Sequence, residues 1–276
     1  MNEGSVSERL GISSIPAAAE ETMVARDIEL ARSVGAPIHF LHLSTTRSAD
    51  LVARAKRDGL KVTAEVTPHH LYLDDSRLEG FDARYKVNPP LRTKQDVAWL
   101  WEHLSDGTFD VIGTDHAPHP SWKKDTTLDQ AAFGMLGLQH ALVVLFTGAK
   151  IAQSYGIAPN CLPPGIDVTI DNLNSPAEEK GLLRWLWLIV SMMSWKPSRL
   201  IGYPTGSSGS LQTGSFATFV IFDPKAFTQA TYAKLYSKAT NSPYIGETFN
   251  GEVRDLFVKG RHLVKNGRVI EEKNWC

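Results

Sequence analysis

The sequence predicts an α/β fold built on parallel strands and followed by a small β appendage. Three observations carry this. Strand-length apolar runs alternate with segments of helical periodicity from residue 17 to residue 146, and strands separated by helices run parallel because the crossover returns the chain to the same end of the sheet. A polar cluster follows each predicted strand: His42-Leu43-Ser44, Thr67-Pro68-His69-His70 and Asp115-His116. Beyond Gly202 the texture changes to short strands with an Asn266-Gly267 turn signal.

Ser14-Ile15-Pro16 opens the first long helix, with proline near the first helical position. Ala17, Val24, Ile28 and Ala31 recur at helical spacing, and Gly35 ends the run. Residues 38–43 read as a buried strand. Ser48 can cap a helix over 51–58, which Gly59 stops, and 62–66 is a second strand. Thr93-Lys94-Gln95-Asp96 reads as a capping box with Asp in the usual Glu place, opening a helix with Val97, Leu100, Trp101 and Leu104 on one face. A third strand spans 109–113 and a helix 137–146. The greasiest stretch, 182–195, is interrupted by Arg184 and is too short for a bilayer, so it predicts a buried helix. Residues 161–176, rich in Pro, Gly and Asn, suggest a boundary. The division expected is 1–200 for the α/β part and 201–276 for the β part, with strands at 219–222, 256–260 and 262–269.

Only about three strand–helix units fit before residue 150, whereas a closed β/α barrel uses eight in roughly 250 residues. Either the sheet is open or the barrel's first part is absent. Both architectures gather ligands at the C-terminal strand ends. No Gly-rich phosphate loop is present.

Lys plus Arg is 29 and Asp plus Glu is 30, a net charge of -1 that gives no electrostatic reason to expect nucleic acid or an anionic membrane as partner. Cys161 and Cys276 form no CxxC pair, and the polar N-terminus lacks a signal-peptide core, so a reducing cytoplasm is the expected compartment.

Strand side chains alternate faces, so His39 and His42 cannot both reach one metal from a regular strand. His42, nearer the strand end, is the better ligand candidate; His39 fits a buried, hydrogen-bonded partner. An isolated strand histidine is otherwise a satisfied core residue. His69 and His70 suit a cavity lining, a metal site or a structural role equally. Asp115, directly after an apolar strand and flanked by histidines, suits a zinc ligand that also takes a proton; the alternative is a cap of the following turn. In Lys86-Val87-Asn88-Pro89-Pro90-Leu91-Arg92, Asn88 offers a donor and an acceptor to an amide or imide; the alternative is a rigid loop with a solvated Arg92.

Together these strings resemble the dihydroorotases, of the cyclic amidohydrolase group. The resemblance rests on His39-Phe40-Leu41-His42-Leu43-Ser44-Thr45, on Glu65-Val66-Thr67-Pro68-His69-His70, on Asn88-Pro89-Pro90-Leu91-Arg92, on Gly113-Thr114-Asp115-His116-Ala117-Pro118-His119 and on Phe133-Gly134. The opening Asn2-Glu3-Gly4 and, more loosely, Ser237-Lys238-Ala239-Thr240-Asn241-Ser242-Pro243 also fit. The resemblance implies an incomplete (β/α)8 TIM-type barrel, its last strands and helices, followed by the small C-terminal β appendage. It implies a site that takes two Zn2+ when complete, with His42 and Asp115 as metal ligands and Asp115 as the general acid/base. Asn88, His119, Phe133 and Gly134 are then substrate contacts. The implied reaction is the reversible conversion of N-carbamoyl-L-aspartate to dihydroorotate in pyrimidine biosynthesis. A hydantoinase- or allantoinase-type enzyme, or a non-catalytic subunit scaffolding a transcarbamoylase, are the alternatives. The open sheet edges of a partial barrel also lead us to expect a homo-oligomer.

The family's first strand carries a His-x-His pair followed by Arg, and nothing here matches it. Thr218 also stands where the family usually has Asp, and the Trp-rich stretch 185–195 is atypical. The resemblance therefore implies further ligands upstream of Met1, and a truncated gene model or an internal start. The DNA before codon 1 is expected to encode a strand ending in His-x-His-x-Arg, which sequencing checks; an immediate stop codon and unrelated sequence would contradict it.

Overall fold

The computed structural model describes residues 1–162, 166–203, 211 and 213–270. Cys276 and part of the predicted boundary at 161–176 lie outside the described residues. After α1 (Ser5–Leu10) comes α2 (Ala17–Val34), then β1 (Ile38–Phe40), α3 (Thr46–Arg57), β2 (Val62–Val66), α4 (Lys94–Ser105) and β3 (Val111–Ile112). The short α5 (Ser121–Lys124) precedes α6 (Ala141–Ser154), α7 (Ile166–Asp171), α8 (Ala177–Met193) and α9 (Trp195–Leu200). The strands pair in parallel in the order β1-β2-β3, with Ile38 opposite Val62 and Glu65 opposite Val111. Among the described residues this parallel sheet has three strands, so β1 and β3 are its edges.

Period-2 alternation sorts the faces of β2. Val62, Ala64 and Val66 join Val24, Ile28, Val52, Leu100 and Leu104 in the main core beneath the helices. Thr63 and Glu65 point the other way, toward His39 of β1. The predicted buried helix is α8, whose Trp185, Leu188, Ile189 and Met192 are fully buried. Trp185 meets Trp101 of α4 edge-to-face at 5.1 Å, which gives the unusual tryptophan a packing role.

Local chemistry explains several boundaries. Thr93 and Asp96 form the predicted capping box reciprocally. Thr45, not Ser48, is the N-cap of α3; its hydroxyl accepts from the Ser48 backbone N–H, so the helix starts earlier than predicted. Likewise α6 starts at Ala141 rather than at residue 137, because Gly137 packs against the Thr114 carbonyl, where a Cβ would come within 2.5 Å.

The C-terminal sheet is antiparallel, in the order β4 (Phe219–Gln229), β5 (Thr248–Val258), β6 (Arg261–Lys265), β7 (Arg268–Val269). The sequence predicts this first strand over 219–222 only, stopping before Asp223-Pro224. The strand continues because it is an edge strand with register shifts there, where a missing N–H is tolerated. The Asn266-Gly267 turn joins β6 to β7, so 262–269 is a hairpin rather than one strand; Lys259-Gly260 joins β5 to β6. The two parts share a second core, in which Leu73, Val87 and Met135 pack with Ala230, Tyr244 and Phe249.

Arg92 is 2% exposed and corrects the reading of a solvated arginine. Its guanidinium donates to Ser44 Oγ at 3.0 Å, to Asn2 Oδ1 at 2.9 Å and to the Ile15 carbonyl at 3.0 Å. Glu20 of α2 faces it at 3.7 Å and also accepts from the backbone N–H groups of Ser44 and Thr45 and from the Ser44 hydroxyl. Arg92→Met removes one partner of a buried pair, a change that costs about 3–5 kcal/mol. Urea unfolding should show that loss, against a change below about 0.5 kcal/mol for a surface substitution such as Lys61→Met.

Candidate functional site

The predicted strand 38–43 ends early, at Phe40, because His42 takes a left-handed backbone with φ 39°. The alternation argument therefore does not govern where His42 points. Its backbone N–H donates to Glu65 Oε1 at 3.2 Å, and the Leu43 N–H donates to the Glu65 carbonyl. Glu65 also lies 3.8 Å from His39 Nε2, and His39 Nδ1 bonds Thr63 Oγ1 at 2.8 Å. His39 is thus the hydrogen-bonded partner within the sheet. Sequence reasoning missed Glu65. The signal for it is an acidic residue inside an otherwise apolar strand. Its carboxylate also fills the space above Gly113, where a Cβ would lie 2.5 Å from it, so glycine there makes room for Glu65.

Asp115 follows β3 and is also left-handed, with φ 44°. A non-glycine residue held there costs about 1–3 kcal/mol and persists where surrounding structure over-determines it. The two sequence candidates for metal binding carry this strain after β1 and β3, the strands on either side of β2. Burial pushes the Asp115 carboxyl above its ordinary range, and the charge of nearby His42 opposes that shift. Nδ1 of His42 is buried without a hydrogen-bond partner. An orphaned imidazole nitrogen and a carboxylate are both zinc donor types. Among the described residues no group of three His, Cys, Asp or Glu side chains is placed to hold a metal ion. In donor type, His42 and Asp115 fit zinc.

The adjacent histidines divide their roles. His70 is a brace: Nδ1 bonds Thr67 Oγ1 at 2.8 Å and Nε2 meets the Pro89 carbonyl at 3.0 Å. A carbonyl only accepts, so Nε2 carries the proton and Nδ1 accepts from the threonine hydroxyl. This ties the end of β2 to Pro89, the residue after the cis Asn88-Pro89 bond. His69 is fully buried, and neither ring nitrogen has a hydrogen-bond partner.

Asn88 is exposed and shares a cleft of about 260 Å³ with His42, Leu41, Glu20 and Pro90. His119, Phe133 and Gly134 come together on the loops after β3. His119 Nε2 donates to the Phe133 carbonyl at 2.8 Å. Gly134, at φ 121°, donates its N–H to the Lys86 carbonyl at 2.9 Å. A Cβ on Gly134 would lie 2.6 Å from that of Ala117, so glycine is required by conformation and by space. Lys86 Nζ sits 4.5 Å over the Phe133 ring. His116, exposed beside Asp115, uses Nδ1 to accept the N–H groups of Gly137 and Leu138. The structure thus gathers His42 with Asn88, and His119 with Phe133 and Gly134, and leaves Asp115 within the electrostatic reach of His42.

Residues 5–263 match the amidohydrolase family model. The chain is 41% identical over 271 residues to a dihydroorotase of Leifsonia xyli subsp. xyli, covering 98% of this chain and 55% of that protein. It is 39% identical over 269 residues to a dihydroorotase of Streptomyces coelicolor, covering 98% and 56%. The chain spans about half the length of the curated relatives it matches. Among solved structures, it resembles the dihydropyrimidinase from Brevibacillus agri with a TM-score of 0.74 and 23% identity, covering 92% of this chain and 50% of that one. It also resembles the L-hydantoinase from Arthrobacter aurescens, with a TM-score of 0.73 and 27% identity over 92% and 50% of the two chains.

Burial lowers His70 from 6.5 to about 4 and lowers His69 well below its ordinary value. The folded state then binds fewer protons than the unfolded chain between these values, so stability rises with pH through that window. Acidification from pH 6.5 to about 4 should progressively destabilise the chain. His70→Gln, which can still donate to the Pro89 carbonyl, should flatten this dependence; chemical denaturation at several pH values measures it.

Proposed function

Because the chain belongs to the amidohydrolase family, we propose that it supplies His42 and Asp115 to a zinc-dependent cyclic amide hydrolase site. The substrate is dihydroorotate, or N-carbamoyl-L-aspartate in the ring-closing direction. The observation that carries this reading is the pair of strained strand-end residues, His42 at φ 39° and Asp115 at φ 44°. They stand in a sequence 41% identical to a dihydroorotase.

His42 and Asp115 would hold the metal. Zinc supplies Lewis-acid polarisation of the ring carbonyl when bound. Asp115 takes the proton released as water adds to that carbonyl and delivers it to the departing ring nitrogen, as a general base and then a general acid. Burial raises the Asp115 carboxyl and the charge of His42 opposes that shift, so its surroundings tune its affinity for a proton. Asn88 is exposed beside His42 and can pair with an amide through its donor and acceptor. His119 and Phe133 bond each other, so a ring group bound at either must share or displace that 2.8 Å hydrogen bond.

Two donors are fewer than the roughly three protein ligands of an ordinary catalytic zinc site. Catalysis therefore draws on ligands beyond these two. Hydantoin hydrolysis is the second enzymatic reading, supported by the likeness to L-hydantoinase at 27% identity. A scaffold role beside a transcarbamoylase is the reading from another class. Purified chain given zinc should bind it weakly and turn over neither dihydroorotate nor hydantoin. Tight stoichiometric zinc with turnover would contradict this, and the ring that reacts would identify the substrate class. In a complete enzyme carrying this segment, Asp115→Asn should keep the fold, since Asn tolerates a left-handed backbone. It should also lose activity by about 10²-fold or more. Retention of more than about a tenth of the rate would remove Asp115 as proton carrier. An intact site that binds without turnover and still captures a transcarbamoylase would favour the scaffold.

A further inference from the structure

The Lys124 side chain is 6% exposed. Its Nζ donates to the carbonyls of Ala132 and Gly134, each at 2.8 Å, and of Lys86 at 3.2 Å. An ammonium has three N–H donors and no acceptor, so these three carbonyls satisfy it completely. Their positions are selective. Ala132 and Gly134 flank Phe133, and drawing both carbonyls to one side leaves the Phe133 carbonyl to meet His119 Nε2. Lys86 lies two residues before Asn88, and its carbonyl also accepts from the Gly134 N–H. One buried charge thus ties the Asn88 segment to the Phe133-Gly134 segment.

Asn241 acts on the same loop from the opposite side. It comes from the Ser237–Pro243 string that resembles the family but has no part in the chemistry above. Its Nδ2 donates to the Ala117 carbonyl at 2.9 Å and to the Gly134 carbonyl at 3.3 Å, and its Oδ1 accepts from the His119 N–H at 3.0 Å. It is 3% exposed. Gly134 therefore receives both side chains on one carbonyl, while its α-carbon lies against Ala117 and His119 too closely for any side chain.

We propose that Lys124 and Asn241 are a positioning pair that sets the geometry of the substrate loop formed by His119, Phe133 and Gly134. This rests on the functional reading above for the identity of the ligand, though not for the loop geometry. Neither residue touches the strand ends that carry His42 and Asp115 in any hydrogen bond described above. Their removal should therefore change ligand binding and leave metal binding alone, a split that general loss of structure would not produce.

The test compares the full chain with Lys124→Met, Lys124→Gln and Asn241→Leu. Hydrogen exchange is followed over residues 131–138 and, as an internal control, over α3. Affinities for zinc alone and for dihydroorotate are measured by calorimetry. The proposal expects exchange over 131–138 to quicken at least tenfold while α3 is unchanged, and dihydroorotate affinity to fall at least tenfold while zinc affinity stays within twofold. Unchanged loop exchange in a folded variant overturns it. So does a parallel loss of both affinities with α3 protection, or unfolding of all three variants, since the role is then structural. If the parent chain binds no dihydroorotate, the ligand needs residues beyond this chain, and the exchange comparison alone decides whether the pair holds the loop.

Discussion

The buried contact between Arg92 and Glu20 is the constraint on which the candidate site depends. Arg92 enters from the loop after Asn88, Glu20 from α2, and they meet at 3.7 Å around Ser44, two residues beyond His42. Desolvating a guanidinium and a carboxylate is expensive, and such a pair is stable only when its remaining donors and acceptors are satisfied. Here they are satisfied by the very segments that must be fixed. Asn2 and Ile15 accept from Arg92, and Asn2 reaches on to Asp75 at 2.9 Å. The backbone N–H groups of Ser44 and Thr45 end on Glu20. The cluster thus locks the N-terminal segment, the end of β1 and the Asn88 loop in one geometry. A left-handed His42 can persist only with such support on its C-terminal side and with Glu65 on its backbone N–H.

The same economy runs through the rest of the site. His70 joins Thr67 at the end of β2 to the Pro89 carbonyl by two hydrogen bonds, and Lys124 joins Lys86 to the Phe133-Gly134 loop by three. In each case a buried side chain spans loops that regular backbone pairing does not connect. Parallel strands end at one edge, so the loops that leave them share that edge without sharing a ladder. Side chains must then supply the connections that a hairpin would supply through its backbone. This is why buried polar residues concentrate here, while the helix-facing side of β2 is wholly apolar.

What the sequence made legible follows from that division. Regularities of short range were readable: the Thr93-Asp96 capping box, the alternation in β2, the Trp185 helix and the polar clusters after each strand. Family strings added the chemistry expected of Asp115 and His42, which spacing alone left open against a core histidine and a turn cap. Errors arose where a distant contact outranked a local preference. Asp223-Pro224 lies beyond the predicted strand, yet the edge position of β4 lets the strand pass through it. Arg92 reads as solvated, yet three segments far apart in sequence converge on it. Lys124 had no local signal, since Lys123 and Lys124 read as an ordinary charged pair at a helix end. Asn241 lies 107 positions from the glycine it holds.

The strain at His42 and Asp115 carries the last step. Left-handed backbone at a non-glycine residue was invisible in composition or periodicity, and it opposes stability by about 1–3 kcal/mol at each position. A chain shaped for stability alone would place Gly or Asn there, as it does at the Asn266-Gly267 turn. Histidine and aspartate at these two points instead combine an unfavourable backbone with side chains that bind metal and move protons, one with a partnerless buried nitrogen and the other with a carboxyl raised by burial. A structural cap at Asp115 would explain the residue type but not the same backbone at His42, across β2 at the same end of the sheet. A metal-supported hydrolase site accounts for both, and it explains why the polar braces of Arg92, His70, Lys124 and Asn241 all converge on the loops that surround them.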